Sequence, residues 1–190
     1  MAVTLVNVWL TVKNSIWCWL WGLASAALFG VVFYQSSLMA NMWLQVIFYL
    51  PMQVIGWLVW LRGGPQKNDD LPVSRLKLSG NLLWLAATVG LTVMLYAYLR
   101  IRVQYSQQPL MDAVTTAISV IAQILMTRKY QENWIYWTLV NCLYAFYLLP
   151  GQKLSFSTFC YLVLLVFAIK GWFDWERIWK QQKVQQAPSQ

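Results

Sequence analysis

The feature that most constrains this fold is a series of long apolar blocks that contain almost no charged residues. The blocks 15–35, 39–61 and 80–101 each match the length of about 20 residues that an α-helix needs to cross a bilayer. Backbone amides in hydrocarbon find no water, so a spanning segment must satisfy them within a helix or a closed β-barrel. Barrel strands alternate apolar and polar positions, whereas these blocks are apolar on consecutive residues. The sequence therefore predicts an all-α integral membrane protein.

Seven apolar segments can be distinguished, and we predict one transmembrane helix from each. They lie at 1–12, 15–35, 39–61, 80–101, 110–127, 132–149 and 154–172. The composition agrees, because only 11% of the residues are charged, against about 25% in soluble domains. Segment 1–12 is short for a span, since its helix would reach about 18 Å across a hydrocarbon core of about 30 Å. We expect a partial helix shielded by its neighbours, or a native chain that starts further upstream.

Lysine and arginine residues are distributed unequally between the connections, and this predicts the orientation. Eleven lie after the first, third and fifth segments or in the C-terminal stretch: Lys13, Arg62, Lys67, Arg75, Lys77, Arg128, Lys129, Lys170, Arg177, Lys180 and Lys183. Only Arg100, Arg102 and Lys153 lie on the other side. The positive-inside rule then places the C-terminus in the cytoplasm and the N-terminus outside. The net charge of +8 is explained by topology, so no nucleic-acid partner is expected.

Two polar stretches are predicted to lie on the cytoplasmic side. Residues 62–79 contain two glycines, two prolines and a pair of adjacent aspartates, which is typical of a surface loop. Residues 173–190 are predicted to be a cytoplasmic tail that frays into solvent from Asp174 onwards.

A repeated pattern relates the segments on either side of the fourth one. The sequence Gly-Trp-x-x-Trp ends the third segment at 56–60 and the seventh at 171–175. Two three-helix repeats separated by one span must run in the same direction, because the single crossing restores the starting side. We predict a 3+1+3 arrangement, with a first repeat at 1–61, a connecting helix at 80–101 and a second repeat at 110–172. The alternative is that aromatic belts at equivalent membrane depths produce chance matches.

Three segments carry polar or aromatic side chains at helical spacing, so each set shares one helix face. The sets are Asn41, Gln45, Tyr49 and Gln53; Asp112, Thr116, Ser119 and Gln123; and Trp134, Trp137, Asn141 and Tyr144. A single face is readily explained by hydrogen bonding between helices, which contributes about 0.6 kcal/mol per residue. Three faces together favour a polar cavity between the helices.

The charged groups that catalysis or ion coupling requires are missing from the middle of these segments. Asp112 lies near a membrane edge, and Asp69, Asp70 and Glu132 lie in polar connections without evident partners. A proton- or sodium-coupled transporter usually has carboxylates inside the membrane. The chain has no histidine, and its three cysteines lack metal-type spacing, so no cofactor is expected. A neutral or cationic ligand is favoured, and a flat aromatic cation would suit aromatic faces and amides.

Three stretches of the chain are similar to a known family. They are NSIWCWLWGLASAALFGVVFY, NMWLQVIFYLPMQVIGWLVW and DAVTTAISVIAQILMTRKYQENWIYWTLVN. They resemble the PnuC-type vitamin transporters, and the resemblance covers residues 10–176. It implies a seven-helix 3+1+3 fold related to SWEET sugar transporters, a homotrimer in the bacterial inner membrane, and facilitated diffusion of nicotinamide riboside. Phosphorylation in the cytoplasm would then trap the substrate.

The resemblance also implies which residues line the substrate site: Trp134, Trp137, Asn141 and Gln123, with Gln45 and Tyr49 opposite them. Residues on the same helix faces complete the predicted set: Tyr144, Thr116 and Ser119. Two alternatives stay open. Relatives carry thiamine or riboflavin on the same fold, and thiamine is also an aromatic cation. A membrane-embedded enzyme using Asp69 and Asp70, or a structural membrane subunit, would belong to another class.

Overall fold

A computed structural model of the protein describes residues 1–35, 39–64, 70–102, 108–148 and 155–186, and the regular elements within these ranges are helices. In chain order they are α1 Ala2–Val12, α2 Cys18–Gln35, α3 at 39–62, α4 Leu78–Arg102, α5 Pro109–Thr127, α6 at 133–148 and α7 Ser155–Gln186. Five of them contain stretches long and apolar enough to cross a membrane: Cys18–Gln35, Met42–Arg62, Leu78–Ile101, Pro109–Thr127 and Thr158–Gln185. The all-α class predicted from the sequence is confirmed, while the number of spans stays a prediction.

Helices α3 and α6 each contain a π-helical segment. In α3, Met39–Leu44 is followed by the π segment Gln45–Tyr49 and then by the α-helix Leu50–Arg62. Pro51 has no N–H to donate to the preceding turn, and the wider register just before it accommodates that loss. In α6, Asn133–Cys142 is α-helical and Leu143–Leu148 is π-helical. Such segments are frequent at functional sites because they redirect side chains.

The polar C-terminal stretch differs from the prediction. Helix α7 continues through Asp174 to Gln186, so the expected fraying at 174–186 is wrong. Trp175 lies on this extension and is completely buried, which holds the helix against the rest of the chain. Ion pairs at i,i+4, such as that between Glu176 and Lys180, add modest support to its exposed side.

The helices form two groups of three that pack against each other. Helix α2 contacts α1 and α3, and α6 contacts α5 and α7 in the same way. The groups meet where α1 packs against α7 and where α3 packs against α5. Helix α4 packs against α5 and exposes many apolar side chains, among them Leu82, Leu83, Val89, Val93 and Met94. An apolar face of this kind is expected to contact lipid or another protein.

Four buried tryptophans, Trp19, Trp60, Trp134 and Trp175, form a tryptophan cluster between the two groups. Trp19 and Trp60 meet edge to face with ring centroids 5.2 Å apart, and Trp134 and Trp175 do the same at 5.5 Å. The rings of Trp60 and Trp175 join the two pairs at 5.9 Å. Aromatic pairs of this geometry contribute about 0.5–1.5 kcal/mol each beyond their buried area.

Each pair rests on a glycine. A Cβ at Gly56 would lie 2.1 Å from the Trp19 ring, and one at Gly171 would lie 2.5 Å from the Trp134 ring. Only a residue without a side chain permits such close helix packing. Each residue of the second set follows its counterpart in the first by 115 positions. The same set of packing contacts is therefore built twice.

The turns before α2 and α6 repeat the same geometry at the same spacing. Asn14 and Lys129 both have positive backbone φ angles, 54° and 50°. In each turn the next residue donates its N–H to the carbonyl five residues earlier, which closes the preceding helix. The turns also supply the carbonyls of Thr11 and Met126, which accept hydrogen bonds from the Trp175 and Trp60 indoles at 3.1 and 3.2 Å.

Candidate functional site

A cavity of about 340 Å³ lies between the two groups of helices. Its lining comes from α1, α2 and α3 on one side and from α5, α6 and α7 on the other. Pockets that hold small ligands typically measure about 300–1,000 Å³. The cavity is therefore large enough for a small ligand, and α4 supplies none of the lining residues that the structure describes.

All nine residues predicted to bind substrate line this one cavity. They are Trp134, Trp137, Asn141, Gln123, Tyr144, Gln45, Tyr49, Thr116 and Ser119. The side chain of Asn41, which shares their spacing pattern, lies outside the described residues. The structure thus brings the nine together from three helices, α3, α5 and α6, and their role in binding stays a prediction.

The aromatic residues are not equivalent in the cavity wall. Trp134 is only 2% exposed because its ring packs against Gly171 and Trp175. Tyr144 stacks on Tyr161, with ring centroids 4.6 Å apart and planes within 14° of each other. The rings of Tyr144 and Tyr161, together with that of the half-buried Trp137, provide flat faces that attract a cation by about 0.5–2 kcal/mol each.

Two amide groups in the cavity lack a hydrogen-bond partner among the described residues. They are Oε1 of Gln53, an acceptor, and Nε2 of Gln123, a donor. Both side chains are more than nine-tenths buried and both line the cavity. An unsatisfied buried polar group costs about 1–3 kcal/mol, so these atoms indicate a place for a polar ligand.

Sequence reasoning missed the contribution of α1. Thr4, Asn7 and Thr11 line the cavity at spacing i, i+3, i+7, the same pattern that identified Trp134, Trp137 and Asn141. The Asn7 side chain donates a hydrogen bond of 2.6 Å to the carbonyl of Cys18, and Thr4 pairs with Ser25 at 2.9 Å. The pattern is present in the sequence, but a segment too short for a full span gives little reason to expect a cavity-facing side.

One end of the helices is closed by two loops next to the tryptophan cluster. The N–H of Ser74 donates to the carbonyl of Lys129 at 3.0 Å, and the N–H of Gln131 donates back to Ser74 at 2.9 Å. Val73 is buried between them and the tryptophan cluster. This end, on the predicted cytoplasmic side, is therefore packed shut by backbone pairing and aromatic rings.

The ionisable groups at this closed end are used for structure. Glu132 accepts a hydrogen bond from the N–H of Leu76, which corrects the expectation that it has no partner, and burial raises the pKa of its carboxyl. The amine of Lys129 lies 4.2 Å from the centroid of the Trp60 ring, and burial lowers its pKa to about 8. Asp70 is exposed, and Asp69 lies outside the described residues.

In the part of the chain that the structure describes, the cavity lining lacks the acidic and basic side chains found at the closed end. Among the described lining residues there is no Asp, Glu, Lys or Arg side chain. An anionic ligand group would lose its hydration here and find no lysine or arginine side chain among these residues, which is costly. The arrangement suits a ligand that offers hydrogen-bond donors and acceptors and a flat ring.

The chain is similar to several known membrane transporters. The model of the family described as nicotinamide mononucleotide transporter matches residues 1–177. The chain is 30% identical over 181 residues to the nicotinamide riboside transporter PnuC of Escherichia coli, covering 83% of this chain and 73% of the relative. It is 28% identical over 182 residues to the protein of the same name from Neisseria mucosa, covering 91% of this chain and 68% of the relative.

A solved structure is also similar. The crystal structure of the vitamin B3 transporter PnuC superposes with a TM-score of 0.75 at 26% identity, covering 94% of this chain and 79% of that one. These proteins are named as transporters, so the predicted class, a membrane transporter and not an enzyme, is confirmed. Because the family model matches nearly the whole chain, this protein belongs to the nicotinamide mononucleotide transporter family.

Proposed function

We propose that this protein transports nicotinamide riboside across a membrane by facilitated diffusion. The observation that carries the proposal is a cavity lined by aromatic rings and amides and by no charged side chain among the described residues. Nicotinamide riboside combines a flat cationic ring with a carboxamide and ribose hydroxyls. Its ring matches the faces of Trp137, Tyr144 and Tyr161, and its polar groups match Asn141 and Gln123. The relatives named as nicotinamide riboside transporters support the same substrate.

The cavity favours the riboside over the mononucleotide for which the family is described. The mononucleotide adds a phosphate, which carries a charge of about −1.5 to −2 at neutral pH. Phosphate sites in proteins commonly use arginine or lysine, and neither side chain lines this cavity in the described part of the chain. A buried phosphate would therefore lack a cationic side chain, and we expect the protein to exclude it.

We propose alternating access without ion coupling as the mechanism. The packing contacts of α1–α3 recur in α5–α7 at a spacing of 115 residues, which supports the 3+1+3 arrangement with α4 as connector. Two such halves can rock around a ligand held between them. Among the described residues that line the cavity there is no carboxylate, the group that ion-coupled transporters usually place inside the membrane. Net uptake then depends on removal of the substrate inside, for which phosphorylation is the proposed route.

The proposed setting is the bacterial inner membrane, crossed by all seven helices, with the N-terminus outside and the C-terminus in the cytoplasm. The basic residues near the closed end support this orientation. The exposed apolar face of α4 supports contacts with lipid or with further copies in a homotrimer.

Binding titration of the purified protein tests the substrate. We expect nicotinamide riboside to bind at micromolar concentration, while the mononucleotide and thiamine give no response. Thiamine is the informative competitor because it is also an aromatic cation and shares the ring chemistry. A thiamine response without a riboside response would replace the proposed substrate, and tight mononucleotide binding would contradict the argument from charge.

Exchange of labelled riboside in liposomes tests the mechanism. We expect exchange to run at the same rate with and without a proton or sodium gradient. A gradient-dependent rate would show that an ion is coupled and that facilitated diffusion is wrong.

A further inference from the structure

We infer that Gln53 is a specificity-determining residue of the cavity, and that it accepts a hydrogen bond from an N–H or O–H group of the ligand. The inference rests on the proposed transport of a vitamin nucleoside. Gln53 lies on α3 and belongs to the group of helices opposite Trp137 and Asn141, so it would contact the part of the ligand that faces away from those residues.

The Gln53 side chain is buried in the cavity wall with an unused acceptor. It is only 6% exposed, it lines the cavity, and its Oε1 atom has no hydrogen-bond partner among the described residues. A buried carbonyl oxygen without a donor is unfavourable, so positions of this kind are normally satisfied by a donor that binds there. Both a carboxamide and a ribose hydroxyl carry such donors.

Gly22 fixes the position of this amide. A Cβ at Gly22 would lie 2.2 Å from Oε1 of Gln53 and 2.9 Å from Nδ2 of Asn7. The Asn7 side chain is itself held by its hydrogen bond to the carbonyl of Cys18. The Gln53 amide therefore occupies the space that any side chain at position 22 would need.

The second half of the chain reverses this pairing of small and large residues. At the spacing of 115 residues, Gly22 corresponds to Trp137 and Gln53 corresponds to Ala168, and all four line the cavity. In the second half the large residue comes from α6 and is an indole. In the first half it comes from α3 and is an amide. At these two pairs of positions the cavity therefore presents an indole from one half and an amide from the other, which suits a ligand with a flat ring and a separate hydrogen-bond donor.

A titration with three ligands tests the inference. The ligands are nicotinamide riboside, 3-acetylpyridine riboside, which has a methyl group in place of the carboxamide NH₂, and 1-methylnicotinamide, which has a methyl group in place of the ribose. We expect Gln53→Leu to weaken binding of the riboside by about ten-fold or more, since one buried hydrogen bond is lost. For the analogue that already lacks the donor, the same substitution should weaken binding by a clearly smaller factor. That analogue identifies whether Gln53 contacts the carboxamide or the ribose.

Two controls separate this role from a general effect on folding. Gln182→Leu removes another buried amide oxygen without a partner, but on α7 outside the cavity lining, and should leave all three affinities unchanged. A second test variant, Gly22→Ala, displaces the Gln53 amide without removing it. It should weaken binding of the riboside in the same way as Gln53→Leu. Its matched control is Gly90→Ala on α4, where nothing lies within 4 Å of the added methyl group.

The outcomes are distinguishable. Unchanged riboside affinity in Gln53→Leu, or equal weakening of all three ligands, would overturn the inference, because a merely structural residue would not discriminate between them. Absence of binding of all three ligands to the wild-type protein would instead overturn the proposed function, and this inference with it.

Discussion

The two groups of helices share a packing scheme but differ where they face the cavity. Trp19 on Gly56 and Trp134 on Gly171 make the same contact, and both pairs extend to a second tryptophan in the same edge-to-face geometry. Around the cavity most corresponding positions carry different residue types, and Ala26, for example, corresponds to Asn141 at the same spacing.

This difference separates two requirements of a transporter. The packing positions are duplicated, as expected if the two halves must move against each other in an equivalent way. The cavity positions also recur, but most of them carry different residue types in the two halves, since a small nucleoside has no two-fold symmetry for identical walls to recognise. Corresponding residues of the tryptophan cluster should therefore affect stability about equally, whereas corresponding residues in the cavity should affect binding to different extents.

The largest expected effect comes from breaking the duplicated packing. Trp19→Ala and Trp134→Ala should each destabilise the protein by about 3–5 kcal/mol, the usual cost of emptying a buried indole site. Both rings are at most 2% exposed, so the losses should be similar. Thermal unfolding in detergent measures these losses. The control is Trp17→Ala, which should change the stability little because the Trp17 side chain is 58% exposed. A full loss from one substitution and none from the other would show that the halves are not equivalent.

The next effect concerns the cavity alone. Trp137→Ala should weaken riboside binding by at least ten-fold while retaining most of the stability, because this half-buried ring faces the cavity. Isothermal titration measures the affinity. Trp43→Ala removes an indole that is 54% exposed and should bind as the wild type does. Wild-type affinity in Trp137→Ala would remove this residue from the site.

These two predictions divide a set of residues that share one spacing pattern. The spacing of Trp134, Trp137 and Asn141 predicts a shared helix face, and all three do line the cavity. The spacing alone also predicts that Trp134→Ala weakens binding without harming the fold. The structure changes that expectation, because Trp134 packs against Gly171. This is a contact between α6 and α7, and the spacing of residues within α6 does not reveal it.

Much of the fold was predictable because the membrane restricts the choices. Apolar blocks of sufficient length had to become helices, and their boundaries agree closely with those of α2, α4 and α5. The π segments of α3 and α6 were not predictable, since they depend on local backbone register. The helical extension beyond Asp174 was missed for a different reason: burial of Trp175 against the tryptophan cluster outweighs the polarity of its neighbours.

A smaller, pH-dependent effect compares the two turns. Asn14 tolerates a positive φ angle well, but Lys129 adopts the same conformation and also buries its amine. Burial lowers the pKa of Lys129 in the folded protein from 10.5 to about 8, although the carboxylate of Asp70 partly opposes this change. Between these pH values the unfolded chain binds the extra proton, so raising the pH should stabilise the wild type.

The variant Lys129→Asn gives the second half the residue of the first and removes the titrating group. We expect the stability of the wild type relative to this variant to increase as the pH rises from about 7.5 to 9.5. The gain in the free energy of unfolding should be at most about 1.4 kcal/mol per pH unit, and thermal unfolding at several pH values measures the trend. Parallel pH profiles for the two proteins would show that the Lys129 amine keeps its ordinary pKa.

The smallest effect tests the two indole hydrogen bonds that join the groups of helices. Trp60→Phe leaves the carbonyl of Met126 without its donor, and Trp175→Phe does the same to Thr11. At each position the lost hydrogen bond should contribute about 1 kcal/mol, in addition to a similar packing loss at both buried sites, as measured by thermal unfolding. The cost should be somewhat larger at Trp60, because its ring also faces the amine of Lys129 and phenylalanine is a weaker partner for a cation.

That excess should disappear in a Lys129→Asn background, where both substitutions should cost the same. The loss of stability in the double variant of Trp60 and Trp175 should differ from the sum of the two single losses, since the ring centroids lie 5.9 Å apart. An excess at Trp60 that persists without Lys129 would mean that the two hydrogen bonds themselves differ, and the duplicated packing would then be unequal at the point where the two groups of helices meet.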